Sequence, residues 1–118
     1  MVKYILLLED DDMISDIYKK HFEKNGCTVI LANETQKALE EIQEKEPDVA
    51  FLDLLITGGG GLEILKKLKG QRLKTKLIIF SNEQDPEKER EARKLGASGF
   101  LIKADYTPDK LLGELGNL

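Results

Sequence analysis

"VAFLDLLITGGGG", Val49 to Gly61, reads as an interior strand that runs out into glycine. Four apolar residues in succession, without alternation, suit a strand covered on both faces. Asp53 closes the run, and a carboxylate there is costly unless something pairs with it. Gly58 to Gly61 then supply backbone that can approach a ligand closely, because no Cβ intervenes. What Asp53 meets at the end of its strand depends on the elements around it.

Working outward, apolar runs recur at "YILLL" (4–8), "CTVILA" (27–32), "VAFLD" (49–53), "KLIIF" (76–80) and "GFLI" (99–102). Between them lie longer polar stretches with apolar residues at helical spacing. Ile14, Ile17, His21 and Phe22 share one face in the first, and Ala38, Leu39 and Ile42 in the second. Leu62, Leu65 and Leu68 do so in the third, Ala92 and Leu95 in the fourth, and Leu111, Leu112 and Leu115 in the last. Asn25-Gly26, Gly70 and Gly96 mark helix ends, Pro86 and Pro108 open helices, and Thr107 is a candidate N-cap. Strand and helix alternate five times, the pattern of an α/β domain with a parallel sheet. The fourth helix, "PEKEREARKLG", carries a thin apolar stripe, and the fifth is short and contains Gly113.

The totals agree with one domain over residues 1–118, long enough to bury a continuous core. Charged residues make up 34%, above the usual quarter, with a net charge of −4. Lys and Arg are scattered among acids, so no basic face offers itself to nucleic acid. The single Cys27 excludes an internal disulfide and, without a secretion signal, a reducing cytoplasm is the expected home. The longest apolar run, Ile5 to Leu8, is too short to span a bilayer.

In a parallel sheet with right-handed crossovers, every strand delivers its C-terminal end to the same edge, where ligands bind. The residues closing the strands are therefore informative. Strand one ends in Glu9-Asp10, strand three in Asp53, strand four in Ser81 and strand five in Lys103. If strands one and three flank the point where the winding reverses, three carboxylates share a crevice. They repel unless a cation intervenes. Oxygen ligands with room for water suit Mg²⁺, whose shell is usually completed by phosphate. A lysine and a hydroxyl are what the remaining phosphoryl oxygens need. Asp53 then reads as a carboxylate nucleophile that accepts a phosphoryl group.

With these residues in that order, the chain resembles the receiver domains of two-component response regulators. The similarity runs through "ILLLEDD", "DVAFLDLLITGGGGLEIL", "LIIFS" and "GASGFLIKAD". It implies a doubly wound, flavodoxin-like (βα)5 three-layer sandwich with a five-stranded parallel sheet in the order 2-1-3-4-5. It also implies that Asp53 is the phosphoacceptor and that Glu9, Asp10, Asp53 and the backbone carbonyl of Leu55 hold Mg²⁺. Ser81 and Lys103 resemble the pair that contacts the phosphoryl group, and Phe100 the aromatic switch that follows Ser81. The implied partners are a sensor histidine kinase or a phosphotransfer protein, with an unnamed downstream effector and neither nucleic acid nor membrane bound directly. The implied state is a monomer or a weak, phosphorylation-dependent dimer. Such a chain catalyses its own phosphorylation and slow dephosphorylation and is not a turnover enzyme. No effector domain is read in these 118 residues.

Several positions depart from that pattern. Thr57 stands where proline is common, Gly60 where Asp or Asn caps the third helix, and Asn82 where a small residue is frequent. Ala104 follows Lys103 where a cis proline is usual. A cis bond before alanine costs roughly 2.5–4 kcal/mol, so either a trans bond with a shifted loop or stored strain is expected. The glycine loop is expected to be more mobile and helix three to lack its favoured cap.

These departures motivate one rival, a degenerate receiver acting as a phosphorylation-independent interaction module. A phosphohydrolase with an aspartyl-phosphate intermediate would need an acid two residues after the nucleophile, where Leu55 stands. A P-loop fails for want of Lys-Ser/Thr after the glycines.

Overall fold

The computed structural model describes residues 4–117. Five strands, β1 (Tyr4–Leu8), β2 (Thr28–Ala32), β3 (Val49–Leu52), β4 (Lys76–Ser81) and β5 (Gly99–Ile102), alternate with five helices. These are α1 (Asp12–Lys24), α2 (Thr35–Lys45), α3 (Gly60–Leu68), α4 (Pro86–Lys94) and α5 (Pro108–Glu114). The strands form one parallel sheet in the order β2-β1-β3-β4-β5, as expected from the resemblance.

Alternation along each strand divides the core in two. Leu6, Leu8, Ala50, Leu52 and Ile79 face α2, α3 and α4, where Ala38, Ile42, Ile64 and Leu65 bury against them. Ile5, Leu7, Val49, Phe51, Ile78 and Phe80 face α1 and α5, where Tyr18, Phe22, Leu111 and Leu115 complete the second cluster. Phe22, Phe51 and Phe80 are fully buried, each contributing roughly 1.5–3 kcal/mol of apolar burial. Phe51 and Phe80 meet edge to face at 5.8 Å, a favoured aromatic geometry.

The helix starts are chemically specified. The Asp11 carboxylate accepts from the Met13 and Ile14 amides at 3.0 and 3.2 Å, and that of Asp85 from Glu87 and Lys88. Thr107 caps α5 as expected, through the Lys110 amide. Each such cap contributes about 1 kcal/mol. Pro86 and Pro108 occupy the first helical turn.

The expected face of α1 is corrected in part: Phe22 is buried and Ile14 packs against the second cluster as expected, but Ile17 does not. The buried stripe of α1 is Ser15, Tyr18 and Phe22, at spacings of three and four, while Ile17 is 51% exposed. Ile17 lies one position, about 100° of helix rotation, off that stripe. Of α4, only Ala92 is buried, in keeping with its thin apolar face. Among the described residues no helix is long and apolar enough to cross a membrane.

Candidate functional site

Strand register places the site. Leu8 pairs with Leu52, so Glu9 and Asp53 leave adjacent strands one step beyond the same rung. Ser81 pairs with Ile102, so Lys103 emerges one step past Ser81. Glu9, Asp53 and Ser81 are buried, at 3%, 7% and 1% exposure, whereas Asp10 is exposed.

The Asp53 carboxylate is held on both oxygens. Oδ1 accepts from Ser81 Oγ at 3.0 Å and from the Leu55 amide at 3.2 Å. Oδ2 accepts from Lys103 Nζ at 2.5 Å. The same ammonium donates to Glu9 Oε2, and Glu9 Oε1 accepts from the Asp11 amide. Burial pulls the Lys103 pKa down, but hydrogen bonds to Asp53 and Glu9 outweigh it, and the net shift is upward. Lysine is therefore the standing counter-ion of two buried carboxylates.

One carboxylate oxygen each from Glu9, Asp10 and Asp53 lies within 4.8 Å of the others. Three carboxylates against one ammonium leave an excess of negative charge, and the donors are all oxygen. That chemistry fits a hard divalent cation such as Mg²⁺. Leu55 sits on the rim, 62% exposed, with nothing to act as an acid. Phe100 is half-buried and pairs with Ile79 in register, packing towards the α2–α4 side outside the carboxylate cluster.

The odd loops have specific geometries. Gly58, Gly59 and Gly60 all have positive φ, at +93°, +109° and +68°. A Cβ on Gly60 would lie 2.2 Å from the Leu54 carbonyl oxygen, so only glycine fits. Helix α3 does lack a cap from its own N-cap, Gly59. A cap is nevertheless supplied from elsewhere: Thr35 Oγ accepts from the Gly60 amide at 2.8 Å and donates to the Thr57 carbonyl at 2.7 Å. Among the described residues every peptide bond is trans, Lys103–Ala104 included. The chain there makes a 3₁₀ turn over Lys103–Asp105, and the Ala104 amide donates to Asn82 Oδ1 at 2.9 Å.

Sequence reading missed Thr35 altogether. Its signal was weak, a threonine opening a helix, because its partners stand more than twenty residues away. Asn82 was noticed as unusual, but its pairing with Ala104 was not foreseen.

The model of the response regulator receiver domain family matches residues 5–115, nearly the whole chain. The chain belongs to that family. The nitrate/nitrite response regulator NarL of Escherichia coli is 32% identical over 113 residues, covering 94% of this receiver domain and 52% of NarL. A putative transcriptional regulator of Pseudomonas aeruginosa is 29% identical over 109 residues, covering 92% and 53% of the two chains. Among solved structures, a CheY-like response regulator receiver domain protein from Methanospirillum hungatei superposes with a TM-score of 0.89. Its identity is 26%, and the match covers 99% of this chain and 93% of that one. The receiver domain spans about half the length of the curated relatives it matches.

Proposed function

We propose that residues 1–118 act as one receiver domain that accepts a phosphoryl group on Asp53 in a Mg²⁺-dependent reaction and passes the change to a protein-binding face. The observation that carries this reading is the Asp53 carboxylate itself. It is buried beside two more acids and held by one hydroxyl, one backbone amide and one ammonium.

The donor is a phosphohistidine of a sensor histidine kinase or phosphotransfer protein, since receiver domains work with such kinases. An Asp53 oxygen attacks phosphorus, the P–N bond breaks as the O–P bond forms, and the leaving imidazole takes up a proton. The product is an acyl phosphate. Glu9, Asp10, Asp53 and the Leu55 carbonyl would hold Mg²⁺, which would supply positive charge to offset that of the phosphoryl oxygens. Lys103 stays near Asp53 to pair with one phosphoryl oxygen, and Ser81 turns its hydroxyl from Asp53 to another. Hydrolysis of the acyl phosphate returns the site to rest, so the chain acts on itself and not as a turnover enzyme.

Phe100 would follow Ser81 as a two-state element, a role that rests on the resemblance to the family, with the charge change that biases it arising at Asp53. The surface it alters lies around α4, β5 and α5, where an effector protein or a second copy docks.

Incubation with acetyl phosphate, with and without Mg²⁺, followed by intact mass beside an Asp53→Asn control, tests the proposal. The expected result is a gain of one phosphoryl group that needs both Mg²⁺ and Asp53. The absence of both phosphate uptake and Mg²⁺ binding would leave the phosphorylation-independent interaction module.

A further inference from the structure

Thr35 is 3% exposed although its neighbours Glu34, Gln36 and Lys37 are exposed. As the first residue of α2 it could serve its own helix, but its side chain turns away into the loop between β3 and α3. Its hydroxyl is used in both directions there, donating to the Thr57 carbonyl and accepting from the Gly60 amide. The Thr35 amide donates to the same Thr57 carbonyl at 3.1 Å. A buried hydroxyl with donor and acceptor both satisfied is a fixed point, since swinging it away would strand two polar groups.

The loop accommodates it by placing glycine where the threonine packs. A Cβ on Gly58 would stand 3.0 Å from Thr35 Cβ, in space the threonine already fills. The second fastening is the Gly61 amide on the Asp53 carbonyl, at 2.7 Å. Leu54, Leu55 and Ile56 are therefore strung between Asp53 and Thr57, each of which is tied down. Leu55 is the residue whose carbonyl the functional reading assigns to the metal.

We propose that Thr35 is a positioning residue for the metal site: it clamps the glycine loop from α2 and so holds the Leu55 carbonyl in place for Mg²⁺. The side chain that pre-orders the loop comes from a neighbouring element instead of from the loop. This rests on the reading of Glu9, Asp10, Asp53 and Leu55 as the Mg²⁺ ligands.

The test combines metal affinity with an observation on metal-free protein. Mg²⁺ titration calorimetry and amide hydrogen exchange at Gly60 are run on the unsubstituted chain, Thr35→Val and Thr35→Ser. Valine keeps the shape and loses the hydroxyl, while serine keeps the hydroxyl. In the unsubstituted chain without metal, the Gly60 amide exchanges slowly. In Thr35→Val it exchanges faster and Mg²⁺ binds about tenfold more weakly, the size of effect typical of residues that orient ligands. Acetyl phosphate labelling of that variant recovers when Mg²⁺ is raised to saturation, and Thr35→Ser stays close to the unsubstituted chain throughout.

A folded Thr35→Val with unchanged Mg²⁺ affinity overturns the proposal, as does a Thr35→Ser impaired as badly as the valine variant. If Thr35→Val fails to fold, rapid Gly60 exchange in the unsubstituted chain overturns it, and slow exchange with an intact Thr35→Ser supports it. An unsubstituted chain that binds no Mg²⁺ defeats the metal reading, and the metal-site role of Thr35 with it. The Gly60 exchange then still shows whether the clamp exists.

Discussion

Lys103 stands between Glu9 and Asp53, and its charge is what lets two buried acids lie so close. A lysine whose pKa is raised on folding contributes stability that is complete below its unfolded value and fades as pH climbs through its folded value. The ordinary lysine value is 10.5, and that of Lys103 lies above it. The stability difference between the unsubstituted chain and Lys103→Met should therefore stay level between about pH 7 and 9 and narrow only in strong alkali. Urea unfolding of both proteins at stepped pH measures this. A difference that already shrinks near neutrality would mean the ammonium is not paired as described. At this scale Asp53, Glu9, Ser81 and Lys103 were legible beforehand, because strand ends bring polar residues to one edge. Thr35 was not, since nothing local distinguishes a threonine that clamps a distant loop from one that simply opens a helix.

Connections between elements account for most of what the sequence left open. The turn after β5 lacks proline, and the chain uses the amide that proline would have removed: Ala104 donates it to Asn82. The two unusual residues form one pair, joining the loops that follow Ser81 and Lys103. Restoring proline at 104 deletes the donor, and Asn82→Ala deletes the acceptor. In a double-mutant cycle the two changes should couple by about 1 kcal/mol, the usual size of one hydrogen bond. Purely additive losses in chemical denaturation would show that the pair is not formed. Strand boundaries were readable because unbroken apolar runs such as 49–52 leave few alternatives. The face of α1 was harder, because Ile14 and Ile17 look alike in sequence and only packing against Phe80 brings Tyr18 in and leaves Ile17 out.

The described residues build two cores on opposite faces of one sheet. The radius of gyration is 12.8 Å, close to the 13 Å or so of a compact domain of this size. Ile64 is fully buried on the α2–α4 side, while Tyr18 and Tyr106 belong to the opposite side. In a Tyr4→Phe background, which leaves Tyr18 and Tyr106 as the reporters, Ile64→Ala should cost about 2–5 kcal/mol and should lower the unfolding midpoint seen by tyrosine fluorescence as much as that seen by far-ultraviolet circular dichroism. Separate midpoints would mean that the two layers melt independently. Sheet order and layering followed from the alternation of runs and from family resemblance.

The pairing of Leu8 with Leu52 carries a consequence for the site as a whole. The distance from Glu9 to Asp53 is set by counting residues along two hydrogen-bonded backbones, much as a reading frame is set by counting nucleotides. Moving β1 by a single residue would turn every side chain on it to the other face. Glu9 would then point away from Asp53 even though the sheet could still close and the composition would be unchanged. The chemistry depends on phase as much as on residue type, so one inserted or deleted residue in β1 should be more damaging than most substitutions within it.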